Sequence, residues 1–274
     1  MDSEALASFH TGIDLRLHAY APGGISRYAR RLARAISELF TPGALTLIHH
    51  RRAESSLLLP GVRNYAVWTP PHHRMERWAL GFELFPLDLD IFHATDFIPP
   101  AWGARFRVTT IHDLNFLYYP QYLTKRALQY YNGQIAWAVT HAHAIIVDSY
   151  ATCRDLINEL HVPEDRVTVV HLAADAHFKQ LTEVEFQPVL AQLGLDLGYF
   201  LFVGTWEPRK NIPGLLNAFA RFCAKDKQKT LVIAGRPGWL YESIYQQIQE
   251  LGIEPRVRFI QQPSFDQLSA LYNG

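Results

Sequence analysis

The sequence contains only two cysteines, Cys153 and Cys223, among its 274 residues. Two thiols cannot form a disulfide framework or a cysteine-rich zinc site, and they are typical of a protein from a reducing compartment. The chain also has no excess of charge, since 26 Lys and Arg balance 26 Asp and Glu. An electrostatic nucleic-acid binder normally carries a basic excess, so we expect no nucleic-acid partner.

Long apolar segments are missing as well. No apolar run approaches the roughly 18 residues that are needed to cross a bilayer. The first ten residues, MDSEALASFH, lack the apolar region of a secretory signal. These patterns predict a cytoplasmic protein. Hydrophobic residues nevertheless make up 49% of the chain, which is enough for a sizeable core, and the length suits two domains.

Short β-rich runs alternate with helical patterns along almost the whole chain, which predicts an α/β fold with doubly wound parallel sheets. Helical spacing covers the stretch from Ile25 to Leu39, Lys125–His141, and Ala151–Leu160 with Ser149 as N-cap. The candidate strands of the first part are Gly12–Leu17, Leu45–His50, Asn64–Trp68, Asp90–Ala94, Arg107–Ile111, Ala144–Asp148 and Val167–His171.

A second series of the same kind begins near Gly198. Its candidate strands are Tyr199–Val203, Thr230–Ala234 and Val257–Ile260. Its candidate helices are Ile212–Cys223 and Tyr241–Leu251. The segment 174–197 shows no strand pattern and contains Pro188, so it is interpreted as the interdomain link. We therefore predict an N-terminal domain over residues 1–180, and a linker with a partial C-terminal domain over residues 181–274. A doubly wound nucleotide-binding domain has about six strands, so three strands predict an incomplete domain.

Two loops are candidates for binding phosphate. The loop Ala21–Gly24 follows the first strand, and its Gly23 and Gly24 allow a ligand to approach the free N–H groups of the next helix. Glycines at such turns also occur for steric reasons alone. In the second domain, Arg209 and Lys210 stand near the start of a helix, where a cation opposes the macrodipole. Their position indicates an anion such as a diphosphate, or else two solvated loop charges.

His112 ends an apolar strand, and ligands of open α/β sheets bind at the carboxyl ends of strands. It is either a contact to a sugar or a reacting oxygen, or a histidine satisfied by the protein. His93 and Asp96 lie around the end of another strand and are candidates for the acceptor site. The other histidine pairs lack metal-site spacing with acidic partners, so no metal site is predicted.

The helix that follows Gly24 has an arginine face, formed by Arg27, Arg30, Arg31 and Arg34. A solvated helix face explains such a pattern. The alternative is contact with anionic lipid headgroups or with an acidic acceptor, which would place the protein at the inner face of a membrane as a peripheral partner.

Taken in order, these motifs resemble the retaining glycosyltransferases of family 4, especially the mannosyltransferase-like members. The motifs span nearly the whole chain, and they are GGISRYARRLARAI, DIFHATDFIPP, VTTIHDLNFLYYP, AHAIIVDSYATCRDLI, RVTVVHLAAD, YFLFVGTWEPRKNIPGLLNAFARF, LVIAGRPGW and VRFIQ. The resemblance implies a GT-B fold, in which two Rossmann-like domains face each other across a cleft. It also implies transfer of a hexose from a nucleoside-diphosphate sugar to a glycan or lipid-linked acceptor, with retention and without a cofactor or metal.

The resemblance implies roles for individual residues. Gly23 and Gly24 would lie near the donor phosphates, and His112 would contact the transferred sugar. Arg209 and Lys210 would neutralise the diphosphate as it leaves, which makes them both donor-binding and catalytic. Ser26 stands where the family loop often has a further glycine.

The family also has a pair of glutamates late in its C-terminal domain, and that segment is not found here. Glu242 and Glu250 have seven residues between them, as the glutamates of the family pair do. They lie on an earlier helix, however, and are interpreted as solvent-facing. We therefore expect a C-terminally truncated transferase with little activity alone, whose open second domain associates with itself or with a partner chain. The alternatives are a non-catalytic sugar- or nucleotide-binding subunit and a GT-B sugar-nucleotide epimerase.

Overall fold

The computed structural model describes residues 9–20, 23–53, 59–226, 228–238 and 242–274. The chain divides into two compact units, Met1–Leu172 and Ala173–Gly274. Ala21 and Pro22 of the glycine loop and Tyr241, the predicted start of a helix, lie outside the described residues. Within the described ranges, no helix is both long enough and apolar enough to cross a membrane.

Strands and helices alternate through both units. The ten strands of the described residues are β1 (Thr11–Asp14), β2 (Leu45–His50), β3 (Arg63–Val67), β4 (Leu89–Ala94), β5 (Ala104–Ile111), β6 (Ala144–Val147), β7 (Val167–Val169), β8 (Phe200–Val203), β9 (Leu231–Gly235) and β10 (Val257–Gln261). The α-helices are α1 (Gly24–Ser37), α2 (Glu76–Leu84), α3 (Asn115–Tyr118), α4 (Lys125–His141), α5 (Tyr150–Leu160), α6 (Glu183–Gln192), α7 (Ile212–Cys223), α8 (Glu242–Glu250) and α9 (Phe265–Asn273).

The first unit is built on a seven-stranded parallel sheet with the order β3-β2-β1-β4-β5-β6-β7. Alternate residues of its inner strands enter different clusters. Ile13 and Leu47 pack with Ala29 and Ala33 of α1, whereas Ile48 packs with Leu80 of α2. Successive side chains of a strand point to opposite faces, so helices cover both faces of this sheet. The predicted doubly wound architecture is confirmed.

The strand order reverses between β1 and β4, which pair with each other in parallel. On one side of this point the chain winds towards β3, and on the other side it winds towards β7. In open α/β sheets such a reversal leaves a crevice at the carboxyl edge, and a small pocket lined by Asp14, Thr95 and Asp96 lies there. We therefore expect a binding site among the side chains at these strand ends.

The second unit has a three-stranded parallel sheet with the order β10-β9-β8. Its central strand is buried on both faces. Leu231 and Ile233 pack in a cluster with α7 and α8, while Val232 and Ala234 pack in a cluster with α6 and α9. This unit is also doubly wound.

The interpretation of residues 174–197 as a link is wrong, because the segment contains α6. Thr182 caps this helix, and both its backbone N–H and its hydroxyl donate to Glu185 Oε2 at 2.7 Å. Phe186 and Leu190 are buried in the same cluster as Leu271 of α9. The segment is thus a structural part of the second unit, and α6 continues through Pro188 because its apolar face is packed.

Candidate functional site

The carboxyl edge of the seven-stranded sheet carries an arginine with no solvent exposure. Arg16 follows β1, and its Nη2 lies 2.6 Å from Asp14 Oδ2 and 2.5 Å from Glu76 Oε1. Its Nη1 also donates to the carbonyl oxygen of Thr69 at 3.2 Å. Burial alone would lower the pKa of Arg16, but the two carboxylates raise it, so the guanidinium stays charged. Arg16 thereby joins the end of β1 to the start of α2.

A second ion pair extends this network to β4. His72 Nε2 lies 2.5 Å from Oδ2 of Asp96, which follows β4. The other oxygen of Glu76 accepts hydrogen bonds from the backbone N–H of His72 and from the hydroxyl of Tyr130, both at 2.8 Å. Burial alone would lower the pKa of His72, but Asp96 raises it above the ordinary value. One connected set of charges thus lies where the strand order reverses.

His93 lies inside the same edge, on β4. Its Nε2 is 2.8 Å from Thr110 Oγ1, and that hydroxyl is 3.1 Å from the hydroxyl of Tyr28 on α1. Burial lowers the pKa of His93 from 6.5 to about 4; His112 contributes to the decrease and Asp14 opposes it. His93 is therefore a neutral ring within a polar chain that joins β4, β5 and α1.

This low pKa predicts a pH-dependent stability. Between pH 6.5 and about 4 the unfolded chain binds a proton at His93 that the folded protein does not bind. The free energy of unfolding should therefore fall with falling pH, by up to about 1.4 kcal/mol per unit. His93→Gln can keep the bond to Thr110 but does not titrate. Urea unfolding across this range should show a shallower pH dependence for the variant. Equal slopes would contradict the assignment.

His112 lies at the end of β5 with both ring nitrogens engaged. Nδ1 is 2.7 Å from Asp148 Oδ2, and Nε2 is 3.0 Å from the carbonyl oxygen of Thr95. Both ring nitrogens of His112 thus face oxygen atoms of the protein. The ring of Tyr28 packs edge-on against His112, with 4.9 Å between the ring centres. The other carboxylate oxygen of Asp148 is buried and has no hydrogen-bond partner among the described residues.

Gly23 and Gly24 lie at the start of α1. Gly23 is the N-cap residue, and its N–H donates to Ser26 Oγ at 2.8 Å. The Ser26 hydroxyl in turn donates to the Gly23 carbonyl at 3.1 Å, so serine serves this helix start as a cap. A Cβ at Gly24 would meet no atom of the described residues within 4 Å, so packing against them does not require glycine there. The role of Gly23 and Gly24 as a phosphate loop stays a prediction.

In the second unit, Arg209 and Lys210 lie in the 3-10 turn Pro208–Lys210, which precedes α7. The helix itself is capped by Asn211, whose Oδ1 accepts from the N–H of Gly214 at 3.2 Å. Arg209 Nη2 donates to Glu207 Oε1 at 2.7 Å. The two cations thus stand just outside the helix start, and Arg209 is already balanced in part by Glu207. The side chain of Lys210 is exposed and makes no ion pair with any described residue.

The loop after β9 adds a third cation to this edge. Trp206 and Pro237 form a β-bridge, and the N–H of Trp206 donates to the carbonyl oxygen of Arg236 at 3.0 Å. Gly235 has a φ of +144°, and a Cβ there would lie 1.9 Å from the carbonyl oxygen of Gly204. The bridge and the hydrogen bond join the loops after β8 and β9, and glycine at position 235 allows their backbones to approach this closely. The exposed Arg236 therefore lies at the same carboxyl edge as Arg209 and Lys210.

Within the first unit, the structure brings His93, Asp96 and His112 together with the helix that begins at Gly24. Sequence reasoning missed Arg16, Glu76 and Tyr28. Their partners are distant in the chain, and no spacing pattern marks them. Asp148 and Arg236 had a usable signal, because Asp148 is the last residue of a predicted strand and Arg236 comes shortly after one. Glu242 and Glu250 are exposed on α8, as expected. Among the described residues, no three His, Cys, Asp or Glu side chains form a group that could hold a metal ion.

The folds and the charged groups at the strand ends define an α/β protein of the GT-B class, Rossmann-like in each unit. Residues 22–178 match the model described as Glycosyltransferase Family 4, and residues 191–274 match the one described as Glycosyl transferases group 1. Since the first match covers more than half of the chain, the protein belongs to Glycosyltransferase Family 4. This confirms the family that the sequence motifs resemble.

Among curated proteins, the chain is similar to O-antigen chain mannosyltransferase B of Escherichia coli. The two are 28% identical over 204 residues, which cover 73% of this chain and 52% of the relative. O-antigen chain mannosyltransferase RfbU of Salmonella typhimurium is 23% identical over 170 residues, or 62% of this chain and 43% of that protein. The chain spans about half the length of the curated relatives it matches.

Two solved structures show the same fold. HepE from Anabaena, in complex with UDP-glucose, has a TM-score of 0.65 and 18% identity, with coverage of 94% of this chain and 70% of that chain. WaaG, a glycosyltransferase involved in lipopolysaccharide biosynthesis, has a TM-score of 0.70 and 14% identity, with coverage of 95% and 72%. At these identities the likeness establishes the fold alone.

Proposed function

We propose that the chain is the core of a glycosyltransferase that moves a hexose from a nucleoside-diphosphate sugar to a glycan or lipid-linked acceptor. The observation that carries the proposal is the group of three cations, Arg209, Lys210 and Arg236, at one carboxyl edge of a parallel sheet in a chain of this family. Similarity to mannosyltransferases suggests mannose as the hexose, and the UDP-glucose in HepE suggests the donor class.

The cations suit the leaving group of such a reaction. When the bond between the sugar and the diphosphate breaks, negative charge develops on the diphosphate. Fixed positive side chains stabilise that charge most effectively where they are held by the fold before the reaction. Arg209 offers a planar fork and Lys210 a point charge, and both can bind the same diphosphate. In this proposal the cations take the role that a metal ion has elsewhere, and no cofactor is needed.

His112 is proposed to contact the transferred sugar. Its hydrogen bond to Asp148 fixes the ring, and Nε2 is the nitrogen that a sugar hydroxyl could engage in place of the Thr95 carbonyl. We propose retention at the anomeric carbon, as the family resemblance implies. In the first unit, His93 and Asp96 are proposed for the acceptor side.

A panel of nucleotide sugars tests the donor part. Calorimetry with GDP-mannose, UDP-glucose and the matching nucleoside monophosphates should show tighter binding of a diphosphate sugar. Donors that bind are then incubated with candidate acceptors, and NMR of the product reports the anomeric configuration. Binding without transfer to any acceptor would favour a binding subunit. Conversion of the donor without an acceptor would favour an epimerase, and an inverted product would contradict retention.

The His112→Ala variant separates catalysis from recognition. A group that acts on the transferred sugar should affect turnover more than donor affinity, and we expect kcat to fall about a hundredfold or more. Donor affinity should change less than threefold. Asp148→Asn, which leaves the ring in place but weakens its support, should give a smaller loss of kcat. Equal losses of affinity and turnover in His112→Ala would place the residue in ground-state binding instead.

A further inference from the structure

A cavity of about 720 Å³ lies in the first unit, along one side of α4. His72, which also lines a small pocket with Asp14 and Asp96 at the carboxyl edge of the sheet, forms part of its wall. The described residues that line the cavity are His72, His73, Arg74, Thr124, Arg126, Ala127, Gln129, Tyr130, Tyr131, Gly133 and Gln134. A volume of this size accommodates a small molecule such as a sugar.

The lining is positively charged. Arg74 and Arg126 are exposed, and neither guanidinium makes an ion pair with any described residue. No carboxylate is among the described lining residues. Asp96 lies behind His72 and is paired with it, and Glu76 is occupied by Arg16 and Tyr130. The cavity therefore presents two uncompensated guanidinium groups, which favour an anionic ligand.

The cavity also presents uncharged hydrogen-bonding groups. Gln134 is 8% exposed, and its Oε1 is buried without a hydrogen-bond partner among the described residues. A buried acceptor of this kind is costly unless a ligand or water donates to it. The hydroxyl of Tyr131 makes no hydrogen bond to a described residue, and burial raises its pKa to about 12, so it remains a donor. An acceptor and a donor of this kind suit a ligand rich in hydroxyl groups.

Gly133 keeps one wall of the cavity open. It lies in the middle of α4, where glycine is among the least favourable residues. Packing against the described residues does not require it, because a Cβ at this position would meet none of their atoms within 4 Å. The neighbouring Tyr131 ring is held by stacking against Phe116, with 5.3 Å between the ring centres. The absence of a side chain at position 133 leaves room for a ligand to lie against the helix.

From this lining we infer that the cavity binds a saccharide carrying a negatively charged group, either a phosphate or a carboxylate. The guanidinium groups of Arg74 and Arg126 take the anion, and Gln134 and Tyr131 take sugar hydroxyls. That this saccharide is the acceptor rests on the proposed function. Binding itself requires only the first unit, so the two ideas can be tested separately.

Calorimetry with matched ligands tests the inference on the whole chain. The probes are mannose 6-phosphate with mannose, glucuronate with glucose, and inorganic phosphate. We expect at least one charged sugar to bind ten times more tightly than its neutral parent, with an affinity that falls as salt rises. The two charged probes show which anion is preferred. Neutral parents that bind equally well, or inorganic phosphate that binds as tightly as the sugar phosphate, would overturn the inference.

Variants locate the binding. Arg74→Gln and Arg126→Gln should each weaken binding of the charged sugar about tenfold or more, because each removes a charged hydrogen bond. Arg154→Gln makes the same change at an exposed position of α5 and should have less than a twofold effect. Gly133→Trp should abolish binding by filling the cavity, whereas Gly133→Ala should change it little. Both Gly133 variants gain helix propensity and should fold. Unchanged binding in Gly133→Trp would show that the cavity is not the site.

The same variants test this inference separately from the proposed donor site. Nucleotide-sugar affinity should be unchanged in Arg74→Gln, Arg126→Gln and Gly133→Trp. Conversely, Arg209→Ala should leave the affinity for the charged sugar unchanged. Loss of nucleotide-sugar binding in the cavity variants would mean that the cavity is part of the donor site, and this would overturn the inference.

Discussion

Replacing Arg16 with methionine is expected to lower the free energy of unfolding by about 3–5 kcal/mol, because it leaves buried carboxylates without their cation. Asp14 and Glu76 would lose the charge that both now share, and the carbonyl of Thr69 would lose a donor. Methionine keeps an unbranched apolar stem and lacks the guanidinium group, so most of the expected loss is electrostatic. Urea unfolding measures the effect, and hydrogen exchange in β1 and β4 assigns it to the first unit.

Arg30→Met is the matched control, since Arg30 is exposed on α1 and its loss should cost within about 0.5 kcal/mol. A second comparison combines Arg16→Met with Glu76→Gln. If the destabilisation comes from the unpaired carboxylate, the double variant should be more stable than the sum of the two single changes predicts. Additive losses, or a cost for Arg16→Met as small as the control, would show that the buried network contributes little to stability.

The double change Arg209→Ala with Lys210→Ala is expected to weaken nucleoside-diphosphate binding by about 1.5–3 kcal/mol for each charged hydrogen bond that is lost. If both side chains bind the diphosphate, the affinity falls by roughly a hundredfold or more. The double change also removes the partner of Glu207, whose unpaired carboxylate would repel the ligand further. Calorimetry with a nucleoside diphosphate measures the loss directly.

Lys225→Ala provides the control, because Lys225 is an exposed cation of the same unit that lies beyond the end of α7. It should leave the affinity unchanged. Nucleoside monophosphate should respond less than the diphosphate to the double change, since fewer charged contacts are lost. An unchanged diphosphate affinity in the double variant would remove Arg209 and Lys210 from the site, and Arg236 would then be the remaining cation to examine.

Most regular elements could be predicted because local patterns and buried positions agree. Leu45–His50, Lys125–His141 and Ile212–Cys223 have the predicted bounds. Ser149 caps α5 as predicted, with its hydroxyl oxygen accepting from the N–H of Thr152. At such sites the N-cap, the apolar spacing and the flanking loops indicate the same structure, and tertiary contacts do not need to decide between alternatives.

Two of the helices that were missed, α2 and α6, are ones in which tertiary packing outweighs the local signal. The periodicity of α2 is blurred because Leu80 and Leu84 are buried, while the equally apolar Phe82 is 70% exposed. In α6, Pro188 suggests a break, and the burial of Phe186 and Leu190 offsets its missing hydrogen bond. Neither helix can be recognised without knowing what packs against it.

In the first unit, candidate side chains could be selected from the sequence where a polar residue stands at the end of a strand. His112, His93 and Asp96 could be selected in this way, because the carboxyl ends of parallel strands converge on one edge. Arg16 and Glu76 are 60 residues apart in the sequence and are joined by the fold. Their partnership follows from the path of the chain between β1 and α2, and no local pattern encodes it.

The contact between Gly235 and Gly204 limits how this family member can change. A side chain at position 235 would collide with the backbone of Gly204, and no choice of rotamer relieves that collision. Any residue other than glycine would therefore require a different conformation of the loop after β8. The side chain of Arg236 beside it is exposed, so packing does not restrict its size. Selection for a different ligand could therefore change the side chain at position 236 while the backbone contact between Gly235 and Gly204 is kept.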